Sequence, residues 1–329
     1  MAYKLLVTRE IPDKGLNILK EAGFELTVRS DSTPPFKYDE FVTAAADFDM
    51  LLTTSKEKVD RNFLQTNRHL KVISQFAAGY DNIDIAAASE LGIPIGHAPQ
   101  AMNNATSDIA FGLMIATARN FFQMHKKITE GKLEDFKPKA NLGLELTGKT
   151  LGVFGLGAIG FDMARKCKAT YGMKIIYTNR SVNSKAETEL GAKRVKFIDL
   201  LEKSDVISVH SNLSEETRQI FNYAAFRRMK DKAIFINTSR GAVHHEADLI
   251  QALQEGCIWG AGLDVSDPEP MLSSNPLLSM PNVCVLPHIG SATVEARDEM
   301  ARLAAENIVQ FVEKGKMIYC VNSEVLSKQ

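Results

Sequence analysis

The chain has 329 residues, 45% of them hydrophobic and 24% charged, with a formal net charge of -1. A length of this order suggests two domains with sizeable cores. The near-neutral, interspersed charge excludes a broad basic field for nucleic acid or anionic lipid, so neither a nucleic-acid nor a membrane partner is expected. The four cysteines (Cys167, Cys257, Cys284 and Cys320) form no C-x-x-C pair, which argues against zinc-ribbon and thioredoxin-like sites. They read as small buried hydrophobes in a reducing compartment, and no metal site is expected.

From the N-terminus, the apolar run in MAYKLLVTREIPDKG ends at Thr8. That is too short for a signal sequence or a membrane span, and the expected location is the cytosol. Short β-branched runs then alternate with helical patterns: KLLVT from Lys4, ELTVRS from Glu25, DMLLTTS from Asp49, KVISQ from Lys71 and PIGHAP from Pro94. After the first run, Leu16, Leu19 and Lys20 lie at helical spacing and Gly23 is a stop signal. Such alternation implies βαβ units and a parallel sheet. One long helix is predicted from Thr106 to Glu130, with Gly131 as its stop. A second series follows: TLGVFG from Thr150, KIIYTN from Lys174, DVISVH from Asp205, AIFINT from Ala233, GAGLDV from Gly260 and VCVLPH from Val283. Six strands match a complete doubly wound dinucleotide fold. A final helix, Thr293 to Lys314, closes the chain.

The predicted fold class is therefore α/β: two doubly wound parallel-sheet domains, a Rossmann cofactor domain inserted into a flavodoxin-like substrate domain. The expected boundaries are 1–100 and 290–329 for the substrate domain and 101–289 for the cofactor domain, with a substrate expected in a cleft of such an architecture.

The segment TLGVFGLGAIG carries Gly155, Gly157 and Gly160 in G-x-G-x-x-G spacing, after a strand and before a helix. Gly155 permits the tight turn, Gly157 lets backbone approach a pyrophosphate, and Gly160 lets helix pack on strand. Phosphates would sit on the amides of the helix N-terminus, here Ala158 and Ile159. Nineteen residues after Gly160 the next strand ends in Asn179, Arg180 and Ser181, where NAD enzymes tend to carry Asp or Glu. No carboxylate is present to repel a 2′-phosphate; Arg180 can pair with it, and the two neutral side chains can donate hydrogen bonds. This predicts NADP as the preferred cofactor, with NAD as the second possibility.

Three polar residues follow consecutive late strands: Arg240 in NTSRGA, Glu269 in SDPEP and His288 in LPHIGSAT. The C-terminal edge of an open α/β sheet is where ligands bind. Reduction of a carbonyl at C2 of a 2-oxo acid needs a proton for the oxygen, and His288 is the natural donor near neutral pH. Glu269 would orient that imidazole and favour its charged form. Arg240 would hold the substrate carboxylate and stabilise charge on the carbonyl oxygen. His69, His97, His125, His210, His244 and His245 lack this combination, and the last two fall near a helix start as surface or packing residues.

These residues, with FGLGAIG, INTSRGA…DLIQAL, GLDVSDPEP and LPHIGSAT, give the chain a resemblance to the D-isomer-specific 2-hydroxyacid dehydrogenase family. The likeness spans nearly the whole chain and is strongest from Leu146 to Glu313. Within the family the chain looks most similar to the glyoxylate/hydroxypyruvate reductase and 2-ketogluconate reductase group. The resemblance implies that backbone amides of Ala78 and Gly79, in QFAAGYDNID, bind the substrate carboxylate. It implies a place for Thr106 near the nicotinamide, cofactor contacts for Asn212 and Thr238, and Asp264 near the carboxamide. Gly290 and Ser291 would line the site beyond His288, and a homodimer would form through the cofactor domain. Two departures bear on substrate choice. The arm GKLEDFKPKANLG lacks the tryptophans of hydroxypyruvate-active members, Trp259 being the chain's single tryptophan, and Ala77–Ala78 stands where that group often has Ser–Val.

The expected activity is NADPH-dependent reduction of glyoxylate, hydroxypyruvate or a similar 2-oxo acid to the D-2-hydroxy acid. The alternatives are a cofactor-sensing binding protein of corepressor type, against which no peptide-recruitment segment stands out, and an NAD-linked biosynthetic dehydrogenase, disfavoured by Asn179–Arg180.

Overall fold

The computed structural model describes residues 2–132 and 135–328. Leu133 and Glu134, in the arm where the resemblance directs attention to missing tryptophans, lie outside the described residues. The chain divides into two compact units, one made of Met1–Met102 with Ala292–Gln329, the other of Asn103–Ser291.

In the first unit, β1 (Lys4–Val7), β2 (Glu25–Val28), β3 (Met50–Thr53), β4 (Val72–Gln75) and β5 (Ile95–Gly96) pair in parallel in the order β2-β1-β3-β4-β5. This is the flavodoxin-like order. Every residue of β3 and β4 is buried, as parallel strands covered on both faces require. Alternate side chains serve separate cores. Leu5, Val7, Leu52 and Val72 meet Leu16 and Leu19 of helix Asp13–Glu21 and Ala304 and Ile308 of helix Val294–Lys314. Leu6, Leu51 and Ile73 meet Phe41, Phe63 and Ala87 on the opposite face. The C-terminal helix is started by Thr293, whose hydroxyl accepts from Ala296 N at 3.1 Å.

The second unit holds β6 (Thr150–Phe154), β7 (Lys174–Thr178), β8 (Lys193–Arg194), β9 (Val206–Val209), β10 (Ile234–Asn237), β11 (Gly260–Leu263) and β12 (Val283–Val285). All pair in parallel, in the order β12-β11-β10-β9-β6-β7-β8. The order reverses between β6 and β9, and ligands of such sheets bind outside the strand C-termini at this switch point. Two features differ from expectation. The sheet has seven strands rather than six, because β8 is a two-residue edge strand of exposed Lys193 and Arg194 with no hydrophobic pattern to announce it. The single helix predicted over Thr106–Glu130 forms as two, Asn103–Ala118 and Phe121–Thr129. Asn120, at φ 53, breaks it; Asn is one of the few residues other than glycine that take the left-handed conformation readily. The first helix is buried among Leu151, Ile234, Ile236 and Cys284, whereas the second buries no residue. Among the described residues, no helix is long and apolar enough to cross a membrane.

Candidate active site

The turn after β6 is shaped by missing side chains. Gly155 adopts φ +94, and a Cβ on it would lie 2.6 Å from Ser211 N. A Cβ on Gly160 would lie 2.6 Å from Gly155 O and 3.0 Å from Val153 Cγ1, so the helix Ala158–Tyr171 sits against its own strand only because glycine is there. Around Gly157 the space is open. No side chain caps this 14-residue helix, so its first amides, on Ala158 and Ile159, lie without a side-chain partner at the positive end of the helix dipole. A pyrophosphate fits such a cradle.

After β7, Asn179 is bound to the glycine-rich turn. Its side-chain oxygen accepts from Leu156 N at 2.6 Å and its amide donates to Leu156 O at 3.1 Å. The amide oxygen and one amide N–H thus tie Asn179 to the glycine-rich turn, which it holds in place, and leave its second N–H for a ligand. Arg180 and Ser181 are exposed. Arg194, which the sequence reading missed, donates from Nε and Nη2 to Asn179 O at 3.1 and 2.8 Å and from Nη2 to Arg180 O at 2.7 Å. It fixes the backbone that presents Arg180 and adds a second guanidinium there. Further along the sheet edge, Thr238 is buried with its hydroxyl 3.4 Å from His210 Nδ1, and Asn212 is exposed in the loop after β9. Burial holds His210 well below the ordinary histidine pKa.

The loops after β10, β11 and β12, three neighbouring strands, carry Arg240, Glu269 and His288. Buried Asn237 organises the first loop: its amide donates to Arg240 O at 2.9 Å and its oxygen accepts from Ser239 N at 3.0 Å. Arg240 donates from Nη1 to Ser239 O at 2.8 Å. This loop lies directly on the next one, for a Cβ on Gly241 would fall 2.1 Å from Ser266 O. His288 Nδ1 and Glu269 Oε1 are 2.7 Å apart. The carboxylate can only accept, so Nδ1 carries the proton in this bond and Nε2 is left for other chemistry. The His288 side chain is 37% exposed, open enough to reach a ligand. Its backbone sits at φ 56, an unfavourable conformation for histidine of the kind that clusters at functional sites.

The turn beyond His288 is clamped from below. Asp264, only 1% exposed, accepts from Ile289 N at 2.8 Å and from Gly290 N at 2.7 Å. Burial raises its pKa and those two amides counter part of the rise. Thr106 Oγ1 donates to Gly290 O at 3.1 Å, and a Cβ on Gly290 would lie 3.0 Å from Asp264 Oδ2. Thr106, Asp264 and Gly290 thus form one packed support beneath His288, with Ser291 half-buried just beyond. Of the flanking histidines, His244 is buried, and His245 stands just before helix Glu246–Gln254, its Nδ1 2.8 Å from Asp248 Oδ1.

In the first unit, Ala78 and Gly79 are half-buried in the loop after β4. Gln75 there donates to Gly79 O and is paired with Asn82 through two bonds of 3.0 Å. Among the described residues no cluster of three or more His, Cys, Asp or Glu could hold a metal ion.

Comparison with known proteins places this geometry. Residues 111–290 match the family described as D-isomer specific 2-hydroxyacid dehydrogenase, NAD binding domain. A glyoxylate reductase of Thermococcus litoralis is 40% identical over 99% of each chain. Among solved structures, a glyoxylate reductase from Paecilomyes thermophila is 33% identical with a TM-score of 0.86, covering 98% of this chain and 99% of the other. An NADPH-dependent glyoxylate/hydroxypyruvate reductase from Sinorhizobium meliloti, in complex with NADP and malonate, is 29% identical with a TM-score of 0.85, covering 98% of this chain and 97% of the other. A nicotinamide-dependent oxidoreductase, the chain belongs to the D-isomer-specific 2-hydroxyacid dehydrogenase family.

Proposed function

We propose that this enzyme reduces a small 2-oxo acid, glyoxylate, hydroxypyruvate or a close analogue, to the D-2-hydroxy acid, with NADPH preferred over NADH. The observation that carries the reading is the 2.7 Å bond between His288 and Glu269 at the C-terminal edge of the sheet, beside the loop that bears Arg240. The dinucleotide, when bound, supplies a hydride for C2. His288 hands a proton from Nε2 to the carbonyl oxygen, and Glu269 orients the ring through Nδ1. Arg240 anchors the carboxylate and stabilises negative charge on the reacting oxygen. In the first unit, which takes the role of substrate domain, the Ala78 and Gly79 amides serve a carboxylate as well.

The second unit takes the role of cofactor domain. The amides of Ala158 and Ile159 hold the pyrophosphate. Arg180 and Ser181 receive the 2′-phosphate on a backbone fixed by Arg194. Thr106, Asn212, Thr238, Asp264 and Gly290 complete the cofactor-binding set. The similar Sinorhizobium meliloti protein is itself NADPH-dependent, which supports the cofactor preference. A homodimer through this unit fits the exposed Phe121, Phe122, Ile128, Phe136 and Leu142, all within one short stretch of chain. A cytosolic location accords with the sparse, unpaired cysteines.

The test follows absorbance at 340 nm with NADPH and then NADH against glyoxylate, hydroxypyruvate, pyruvate and 2-ketogluconate. Rapid NADPH oxidation by one of the first two is the expected result. A clear NADH preference removes the cofactor assignment. Tight dinucleotide binding with no turnover on any of them removes the reductase reading in favour of a sensor.

A further inference from the structure

The loop after β4 orders its backbone by holding its carbonyls. Ala77 O accepts from Ala98 N at 2.8 Å, Ala78 O lies 2.9 Å from His97 Nδ1, and Gly79 O accepts from Gln75 Nε2. Three successive carbonyls are thereby pinned, while the N–H groups of Ala78 and Gly79 donate to no acceptor among the described residues. In a trans peptide the N–H points opposite to the C=O. Fixing Ala77 O therefore aims the Ala78 N–H, and fixing Ala78 O aims the Gly79 N–H. The first peptide is held by backbone, the second by one imidazole.

That imidazole is itself well anchored. His97 is half-buried, set edge-on to the rings of Tyr80 and Tyr319 with centroids at 5.5 and 6.2 Å. Its backbone carbonyl accepts from Asn307 Nδ2 at 2.9 Å. Burial lowers its pKa, more than the bond to Ala78 O raises it, so the ring is neutral. A carbonyl can only accept, so the ring's one proton sits on Nδ1.

We propose that His97 is a positioning residue for substrate: by donating from Nδ1 to Ala78 O it fixes the Ala78–Gly79 peptide plane and points the Gly79 N–H at the carboxylate of the 2-oxo acid. This rests on the proposed role of the Ala78 and Gly79 amides as carboxylate ligands. It adds a side chain that touches neither substrate nor cofactor and that the sequence reading set aside.

The test compares wild type with H97A, H97N and Gly79→Pro, measuring KM and kcat for glyoxylate with NADPH and the Kd of oxalate for the enzyme–NADPH complex. Asn carries its amide nitrogen as many bonds from Cα as His carries Nδ1, and so can donate to the same carbonyl. Losing one aimed, charge-assisted donor is expected to raise KM and Kd roughly tenfold in H97A, with kcat and the NADPH KM within about twofold. H97N is expected to return both to within about threefold of wild type. If H97A does not fold, H97L replaces it, matching Asn in shape without the donor. A loss of kcat and cofactor affinity together, unrelieved in H97N, marks a merely structural histidine and overturns the proposal. Gly79→Pro deletes the aimed N–H itself. Should it weaken oxalate binding while H97A does not, the amide role stands and His97 is excluded. Should it leave oxalate binding and KM untouched, or should wild type bind no oxalate, the amide role fails and the proposal falls with it.

Discussion

The loop after β4 in the first unit and the loops after β10, β11 and β12 in the second occupy equivalent places, the C-terminal ends of parallel strands, yet they offer opposite chemistries. The first presents backbone amides on small residues, Ala78 and Gly79, with Gln75 and His97 holding their carbonyls and Asn82 paired to Gln75. The second presents side chains, with the backbone held by buried Asn237 and Asp264. A backbone donor has fixed geometry and no titration, which suits recognition of a permanent anion such as a carboxylate. Proton transfer needs a group that changes charge, so only the side-chain edge can carry it.

That division predicts where the largest single effect lies. Under the proposed roles, His288→Ala is expected to lower kcat by about 10²–10⁴, the range for loss of a general acid, while NADPH affinity stays within about twofold. Fluorescence titration of bound NADPH alongside turnover checks both halves. Lost NADPH binding in the variant would show that His288 builds the cofactor site instead, and the two edges would no longer differ in kind.

Acid should separate the units next. In the second, Asn237 Nδ2 lies 3.0 Å from His244 Nδ1. Asn237 already accepts from Ser239 through its oxygen, so its amide is the donor here and His244 Nδ1 the acceptor. The ring's proton sits on Nε2, buried without a partner among the described residues. Burial, with nearby His245 adding to it, pushes the His244 pKa down to about 4 from its ordinary 6.5. A depressed histidine contributes stability that is whole above 6.5 and lost as pH falls from there towards 4, on the order of 3 kcal/mol. His97 in the first unit is lowered as well, by burial. Among the first unit's carboxylates, Asp60 is the one held lowest. Burial opposes its charge, but Lys58, the Tyr38 hydroxyl and Phe63 N more than offset this and hold its pKa at about 2. Its contribution is present above 3.8 and lost only as pH falls towards 2. Peptide-resolved hydrogen exchange between pH 7 and 4 is expected to show protection falling first around β9, β10 and helix Glu246–Gln254. Earlier loss around helix Arg61–Thr66 would reverse that order.

The same contrast explains what could be read from the amino acids alone. Gly155, Gly157, Gly160, Glu269 and His288 are visible because their chemistry is in the side chain, or in its absence, at a spacing tied to strand ends. Nothing in QFAAGYDNID marks its amides as ligands; only resemblance points to Ala78 and Gly79, because backbone donors leave no compositional trace. Supporting residues are equally silent. Arg194 works through carbonyls of a segment that closes on it only once β8 pairs with β7. The pairing of Asn179 with Leu156 depends on a turn shape that spacing does not define. The break at Asn120 is hidden by helical periodicity on both sides of it.

The smallest expected effect concerns Thr106, for which two roles compete. The resemblance implies a place for it near the nicotinamide; by geometry its hydroxyl supports the turn after His288 through Gly290 O. Thr106→Val keeps the branched shape and deletes the bond, leaving a carbonyl unpaired in a buried setting, a loss of about 1 kcal/mol in stability. If support is the whole role, Tm falls slightly, kcat drops a few-fold as His288 loosens, and the Kd for NADPH is unchanged. If the hydroxyl also meets the cofactor, Kd for NADPH rises and the effect exceeds what the Tm change accounts for. Thr106→Ser, which retains the donor, should restore kcat in either case, so only the Kd decides whether this threonine belongs to the supporting layer or to the binding surface.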